Sequence, residues 1–235
     1  NDRQIMVGRL SPINASDLSW TVGMILAYED HPVMDDYYGN VLLVAHGGVI
    51  GCCDDIWPYQ EKVRTAPYAN PPTFRTYYGN VQGNTNTGLK AGIETLPEGI
   101  VDYFGHGSAT AWSGWDVTNE NFSSSHVGLM SLAPRNPIVW YIACQSGAIH
   151  VEDSFGESWM HRYGLGALAF YGSTVNARAY PSVLLNQNLF YAVDRVLAGM
   201  SQMSGVEEKR RRAVTIAQAI ADEDAQAGER IGVIG

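Results

Sequence analysis

Cysteine is scarce in this 235-residue chain: there are three, at Cys52, Cys53 and Cys144. Adjacent cysteines do not readily meet the Cα separation of about 4.4–6.8 Å that a disulfide requires, so this is not a disulfide scaffold. Lysine is equally sparse, at Lys62, Lys90 and Lys209. With 15 Lys and Arg against 24 Asp and Glu the formal charge is −9, which argues against a nucleic-acid partner, because phosphate contacts need concentrated positive charge. No apolar run approaches the roughly 20 residues of a membrane-spanning helix. The first ten residues lack the basic and apolar segments of a secretory signal.

Several catalytic signatures are also missing. The six histidines are scattered, and neither His-Glu-x-x-His nor Cys-x-x-Cys occurs, so no metal site is assigned. His46-Gly47-Gly48 after an apolar run is reminiscent of an esterase oxyanion segment. The Gly-x-Ser-x-Gly elbow that an α/β-hydrolase needs is absent. The run from Lys209 to Arg212 follows Glu207 and Glu208 opposite an apolar helical face and reads as a solvated surface.

What is present suits a globular α/β protein. Hydrophobic residues make up 46% of the chain and charged ones 17%, enough to build a large core. Runs rich in Val, Ile, Tyr and Phe at 41–45, 73–78, 100–104, 138–143 and 167–171 predict strands. Most are continuously apolar, as in strands of a parallel sheet covered on both faces.

Helices are expected from Ser16 onward, with Leu18, Val22, Ile25 and Leu26 on one side and Asp17 or Ser16 as N-cap, and at 154–163, 184–197 and 206–224. The stretches 48–72 and 112–123 read as long loops. The alternation of strands and helices predicts a three-layer α/β/α domain with a mainly parallel sheet, occupying 1–235 as one unit.

In such sheets, reactive groups gather beyond the carboxyl ends of the strands. One predicted strand runs into Gly105-His106-Gly107-Ser108 and another into Cys144-Gln145-Ser146-Gly147. If the strands are neighbours, His106 can take the thiol proton of Cys144 and return it to a leaving amine, while the thiolate attacks a carbonyl carbon. The N–H groups of Gly107 and Cys144 would then face the oxyanion.

Phe104-Gly105-His106-Gly107-Ser108-Ala109-Thr110-Ala111-Trp112, Pro137-Ile138-Val139-Trp140-Tyr141-Ile142-Ala143-Cys144-Gln145-Ser146-Gly147 and Ser154-Phe155-Gly156-Glu157-Ser158-Trp159 together resemble the gingipain family of cysteine peptidases. The resemblance extends from Val7-Gly8-Arg9-Leu10 through Tyr28-Glu29 to Gly172-Ser173-Thr174-Val175-Asn176. It implies a caspase-like fold, a secreted or surface location, a peptide or protein substrate, and His106 and Cys144 as the catalytic pair. It also implies further sequence before Val7, and association with an N-terminal fragment or a prodomain.

By the same resemblance Asp55, or its neighbour Asp54, is the nearest match to the acid that selects Arg or Lys. Ser173, Thr174, Val175 and Asn176 would form the opposite pocket wall, with Tyr180 as an aromatic lid. Some family members set a glutamate behind the histidine where this chain has His46, so a dyad is expected. The family also admits structural calcium, for which no Asp-rich loop is found here. The rival expectation is a catalytically silent or partner-activated binding module on this fold.

Overall fold

The structure, a computed structural model, describes residues 10–31, 33, 36–47, 55–79, 81–132, 134–151, 153–162 and 165–201. The predicted helix at 206–224, the pair Cys52 and Cys53, and Val7-Gly8-Arg9 lie outside them. The chain divides into two compact units, one of residues 10–61 and 72–177, the other including 62–71 and the segment from 178 on.

In the larger unit, β1 (Asn40–Ala45), β2 (Thr73–Tyr78), β3 (Ile100–Phe104), β7 (Ile138–Ile142) and β8 (Ala169–Gly172) form one sheet in the order β2-β1-β3-β7-β8, every neighbouring pair parallel. The five apolar runs are therefore the five strands. β1 and β3 are buried on both faces almost throughout, which is why they carry no polar alternation.

Alternate residues of the central strands, Leu42 and Val44, Val101 and Tyr103, Val139 and Tyr141, point to one side. They pack there with Leu89 and Ile93 of α3 (Asn86–Thr95), Val127 of α4 (Ser124–Gly128), and Phe155 and Trp159 of α5 (Phe155–Met160). On the other face Gln60 of α2 (Trp57–Arg64) donates to Val44 O and to the buried Asp102, whose Oδ2 it reaches at 2.8 Å. The sheet is thus flanked by helices on both sides.

The helix ends follow ordinary capping chemistry. Ser154 and Glu157 form a capping box at α5, and the Thr85 hydroxyl accepts from Gly88 N at α3. For α1 (Ala15–Asp30) the expected N-cap is corrected: Asn14 Oδ1 accepts from Asp17 N at 3.0 Å. Asp17 sits one turn in, and its carboxylate accepts at 2.9 Å from the N–H of Ile13, the residue before the cap.

The expected apolar side of α1 is also not its packed side. Asp17 and Thr21 are buried, whereas Leu18, Val22 and Leu26 are exposed. The predicted loop 48–72 contains α2 as well; Pro58 falls in its first turn, where a missing N–H costs nothing.

The region 112–123 is a second, small antiparallel sheet with its neighbours: β4 (Gly107–Ser108), β5 (Ala111–Trp112) and β6 (Phe122–Ser123). Trp112 and Trp115, expected in a loop, are fully buried. Within the smaller unit, the N–H groups of Ala69 and Asn70 bond the carboxylate of Asp194 on α6 (Ala179–Ser201) at 3.1 and 2.8 Å, and the Tyr68 and Tyr191 rings lie 5.8 Å apart.

Candidate active site

β3 and β7 are neighbours, with Phe104 opposite Ile142 in register. The two reactive segments therefore leave the same edge of the sheet side by side. Gly105 N donates to Ile142 O at 3.4 Å. At Gly107 a Cβ would strike the Tyr141 hydroxyl and come within 2.9 Å of the Ala143 Cβ. Only glycine lets the His106 strand pass this close to the residue before Cys144.

The backbone of His106 is pinned from two sides, its carbonyl accepting from Ser113 N at 2.9 Å and from the Tyr103 hydroxyl at 2.7 Å. Tyr103 is itself stacked on Trp112, ring centroids 4.5 Å apart and planes nearly parallel. The imidazole of His106 stands exposed at this edge.

Cys144 is a free thiol, half-buried, and its Sγ donates to Ala177 O at 3.6 Å. The next residue, Gln145, has φ 55, a left-handed conformation uncommon for a side-chain-bearing residue. Neighbouring bonds hold the turn: Gln145 N to Val175 O at 2.9 Å and Gly147 N to Ser173 O at 2.8 Å.

Ser146 is fully buried beneath the turn. Its hydroxyl donates towards the Tyr141 and Ala143 carbonyls and accepts from Ser173 N at 2.9 Å. The turn carrying Cys144 is thus tied to the segment 173–177. Thr174, Val175 and Asn176 are exposed there, and Ser173 is half-buried with its hydroxyl on Val175 O.

The predicted residues do not all meet. Asp55 is exposed just before α2, and its neighbour Ile56 donates to His46 O at 3.3 Å. No hydrogen bond or ion pair among the described residues joins Asp55 to Cys144 or to 173–177, and Asp54 lies outside those residues. Tyr180 is exposed at the start of α6, in the smaller unit. Among the described residues no group of three or more His, Cys, Asp or Glu could hold a metal ion.

One neighbour was missed as a site residue. His46, the first residue after β1, is buried, and its ring stands perpendicular to that of His106 with centroids 5.1 Å apart. Its N–H donates to the Gly114 carbonyl. Burial first, and the adjacent His106 second, push its pKa below the ordinary histidine value, only partly offset by the Gly114 carbonyl and the charge of Asp55. Ala45 and Phe104 are in register, so the residues after them share an edge as those after β3 and β7 do.

The sequence model of peptidase family C25 matches residues 2–226. The chain belongs to this family, the gingipains.

Among solved structures, the Arg-specific cysteine proteinase gingipain R (RgpB) superposes with a TM-score of 0.67 at 18% identity, covering 94% of this chain and 51% of that one. The complex of Porphyromonas gingivalis RgpB pro- and mature domains gives 0.68 at 16% identity, with coverage of 96% and 53%. A structure described only as a protease gives 0.61 at 20% identity, with 77% and 39%.

The C25 chain thus spans about half the length of the two gingipain structures and shares their caspase-like peptidase fold. No curated protein sequence gives a significant match. No helix among the described residues is long and apolar enough to cross a membrane.

Proposed function

We propose that this C25 protein is a cysteine endopeptidase in which Cys144 is the nucleophile and His106 the general base and acid. The observation that carries the reading is the register of β3 against β7, which sets Gly105-His106-Gly107 beside Ala143-Cys144. Family membership supplies the reaction class.

In the proposed cycle His106 takes the Cys144 thiol proton and the sulfur attacks the peptide carbonyl carbon. The oxygen takes negative charge and is met by the N–H groups of Gly107 and Cys144. The C–N bond then breaks as His106 gives its proton to the departing amine, leaving a thioester on Cys144. His106 next takes a proton from water, which attacks the thioester and frees the acid product and the thiol.

Ser173, Thr174, Val175 and Asn176, joined to the cysteine turn by backbone bonds, form one wall of the substrate groove in this reading. Asp55, on the His46 side, gives a bias towards Arg or Lys, and Tyr180 is assigned as a lid. The substrate is a peptide or protein, the location is secreted or at the cell surface, and the chain associates with a prodomain or with its own N-terminal fragment.

The test is hydrolysis of a positional peptide library under reducing conditions, with and without calcium, by the wild type, Cys144→Ala and Asp55→Ala. Cleavage should vanish in Cys144→Ala, and any preference for Arg or Lys should fade in Asp55→Ala. Equal cleavage by wild type and Cys144→Ala sinks the reading. Absence of cleavage by the wild type, with or without a prodomain, favours a binding module.

A further inference from the structure

Beyond the catalytic pair, the geometry points to His46 as the positioning residue of His106: a buried imidazole that fixes the orientation of the catalytic ring by standing perpendicular to it. This rests on the reading of His106 as the base.

Three observations carry the inference. The first is contact, since the two rings meet at 90° within 3° and with centroids 5.1 Å apart, the separation and attitude of a favourable edge-to-face pair. The second is rigidity. His46 is 2% exposed, its backbone N–H donates to Phe104 O and its carbonyl accepts from Ile56 N. The ring is therefore fixed at the backbone and, through its N–H on the Gly114 carbonyl, at the far end as well.

The third observation is that the acceptor is itself built for the purpose. Gly114 has φ +53, and a Cβ there would meet Asn119 Oδ1. Its N–H donates to Asn121 Oδ1 at 2.8 Å, while Asn121 O accepts from the Asn86 side chain. Thr118 and Glu120 are held by Asp116 Oδ1 in the same loop. A loop so thoroughly bonded delivers one carbonyl to one histidine.

The chemical consequence concerns the proton. A ring N–H committed to a carbonyl fixes the tautomer of a neutral imidazole. His106, exposed on its other side, must accept and release a proton without turning away from Cys144. A neutral neighbour permits that, whereas a charged one at this distance would oppose the imidazolium. The charged or titratable side chains acting on His46 are His106 beyond β3 and Asp55 ahead of α2; the Tyr103 hydroxyl, committed to His106 O, adds no charge at neutral pH.

The experiment separates ring from tether. Three variants of the full chain, His46→Ala, His46→Phe and His46→Asn, are compared for kcat and KM on the best library peptide, for the rate of Cys144 alkylation by iodoacetamide at pH 7, and for melting temperature. His46→Ala should lose about tenfold to hundredfold in kcat with KM changed by less than about threefold.

His46→Phe keeps the ring and should recover most of kcat while melting lower, because the Gly114 carbonyl loses its donor. His46→Asn should melt normally and remain slow. If kcat instead follows melting temperature across the three, His46 is merely structural and the inference is overturned.

Alkylation makes the inference independent of finding a substrate. A thiol that reacts slowly in the Ala and Asn variants and in His106→Ala, but not in His46→Phe, supports the positioning role even if the wild type cleaves no peptide and the peptidase reading falls. Alkylation unchanged in all of them overturns it.

Discussion

The segment bearing His106 is backed by side-chain packing as well as by the two bonds to its carbonyl: Tyr103 stacks on Trp112, and Trp112 meets Trp115, Phe122, Phe155 and Trp159. The segment bearing Cys144 is fixed by hydrogen bonds, through one buried serine hydroxyl and backbone contacts to 173–177. Packing is non-directional and tolerates small adjustments. Hydrogen bonds hold a residue at a set angle, which is what a turn with φ 55 at Gln145 demands. His106 is thus carried on a packed wall and Cys144 on a bonded turn.

Three substitutions break or sharpen this contrast. Gly107→Ala drives a methyl into the Tyr141 hydroxyl and the Ala143 Cβ, just where the two supports meet. It should cost about 3 kcal/mol of stability and abolish Cys144-dependent cleavage, as read from chemical denaturation and peptide hydrolysis. A variant as stable and active as the wild type would show that the segments are not in close contact.

Ser146→Ala should act on one side alone. It leaves Ser173 N without its acceptor, a cost of about 1–3 kcal/mol, and should speed hydrogen exchange at Ser173 and Gly147 while leaving the Trp112 cluster protected. Loss of protection in both places would mean that the two supports are one.

Tyr141→Phe removes the hydroxyl that donates to Ala111 O and accepts from Ser108 N. Only the packed side is touched, and a loss of about 1 kcal/mol is expected.

The smallest effect is a pH dependence. The His46 pKa is lower in the folded protein than the ordinary value of 6.5, so the unfolded chain takes up a proton first as the pH falls. Stability associated with His46 is fully present above that value and is lost below it, down through the folded-state pKa. Melting temperature measured from pH 7.5 to 5.5 should fall less steeply in His46→Asn than in the wild type.

How much of this was legible in the sequence depended on what encoded it. The five strands were: burial on both faces makes β1, β3 and β7 nearly continuous apolar runs, and β2 and β8 are marked by their aromatic residues. The shared edge of the strands that lead into His106 and Cys144 followed, since the end of a parallel strand is a place as well as a residue. α2 was not legible, because Trp57–Arg64 is mostly polar and, of its two buried residues Gln60 and Val63, Gln60 is bonded to Asp102 rather than packed.

α3 was hidden by Gly88 and Gly92, the latter required by contact with the Tyr77 side chain. The apolar side of α1 misled, since its burial depends on what lies beside it and not on its period. His46 escaped for a different reason: its neighbourhood is set by β1 lying next to β3, a matter of strand order that no local pattern carries.

The aromatic wall has an optical consequence. Tyr103 and Trp112 lie parallel at 4.5 Å, with Trp115 and Trp159 within 6.4 Å of Trp112, so their electronic transitions couple and should give a strong near-ultraviolet circular dichroism signal. Because that signal originates in the aromatic cluster behind His106, its intensity during refolding or ligand titration gauges the assembly of that support without any label, while the turn at Cys144 stays nearly silent.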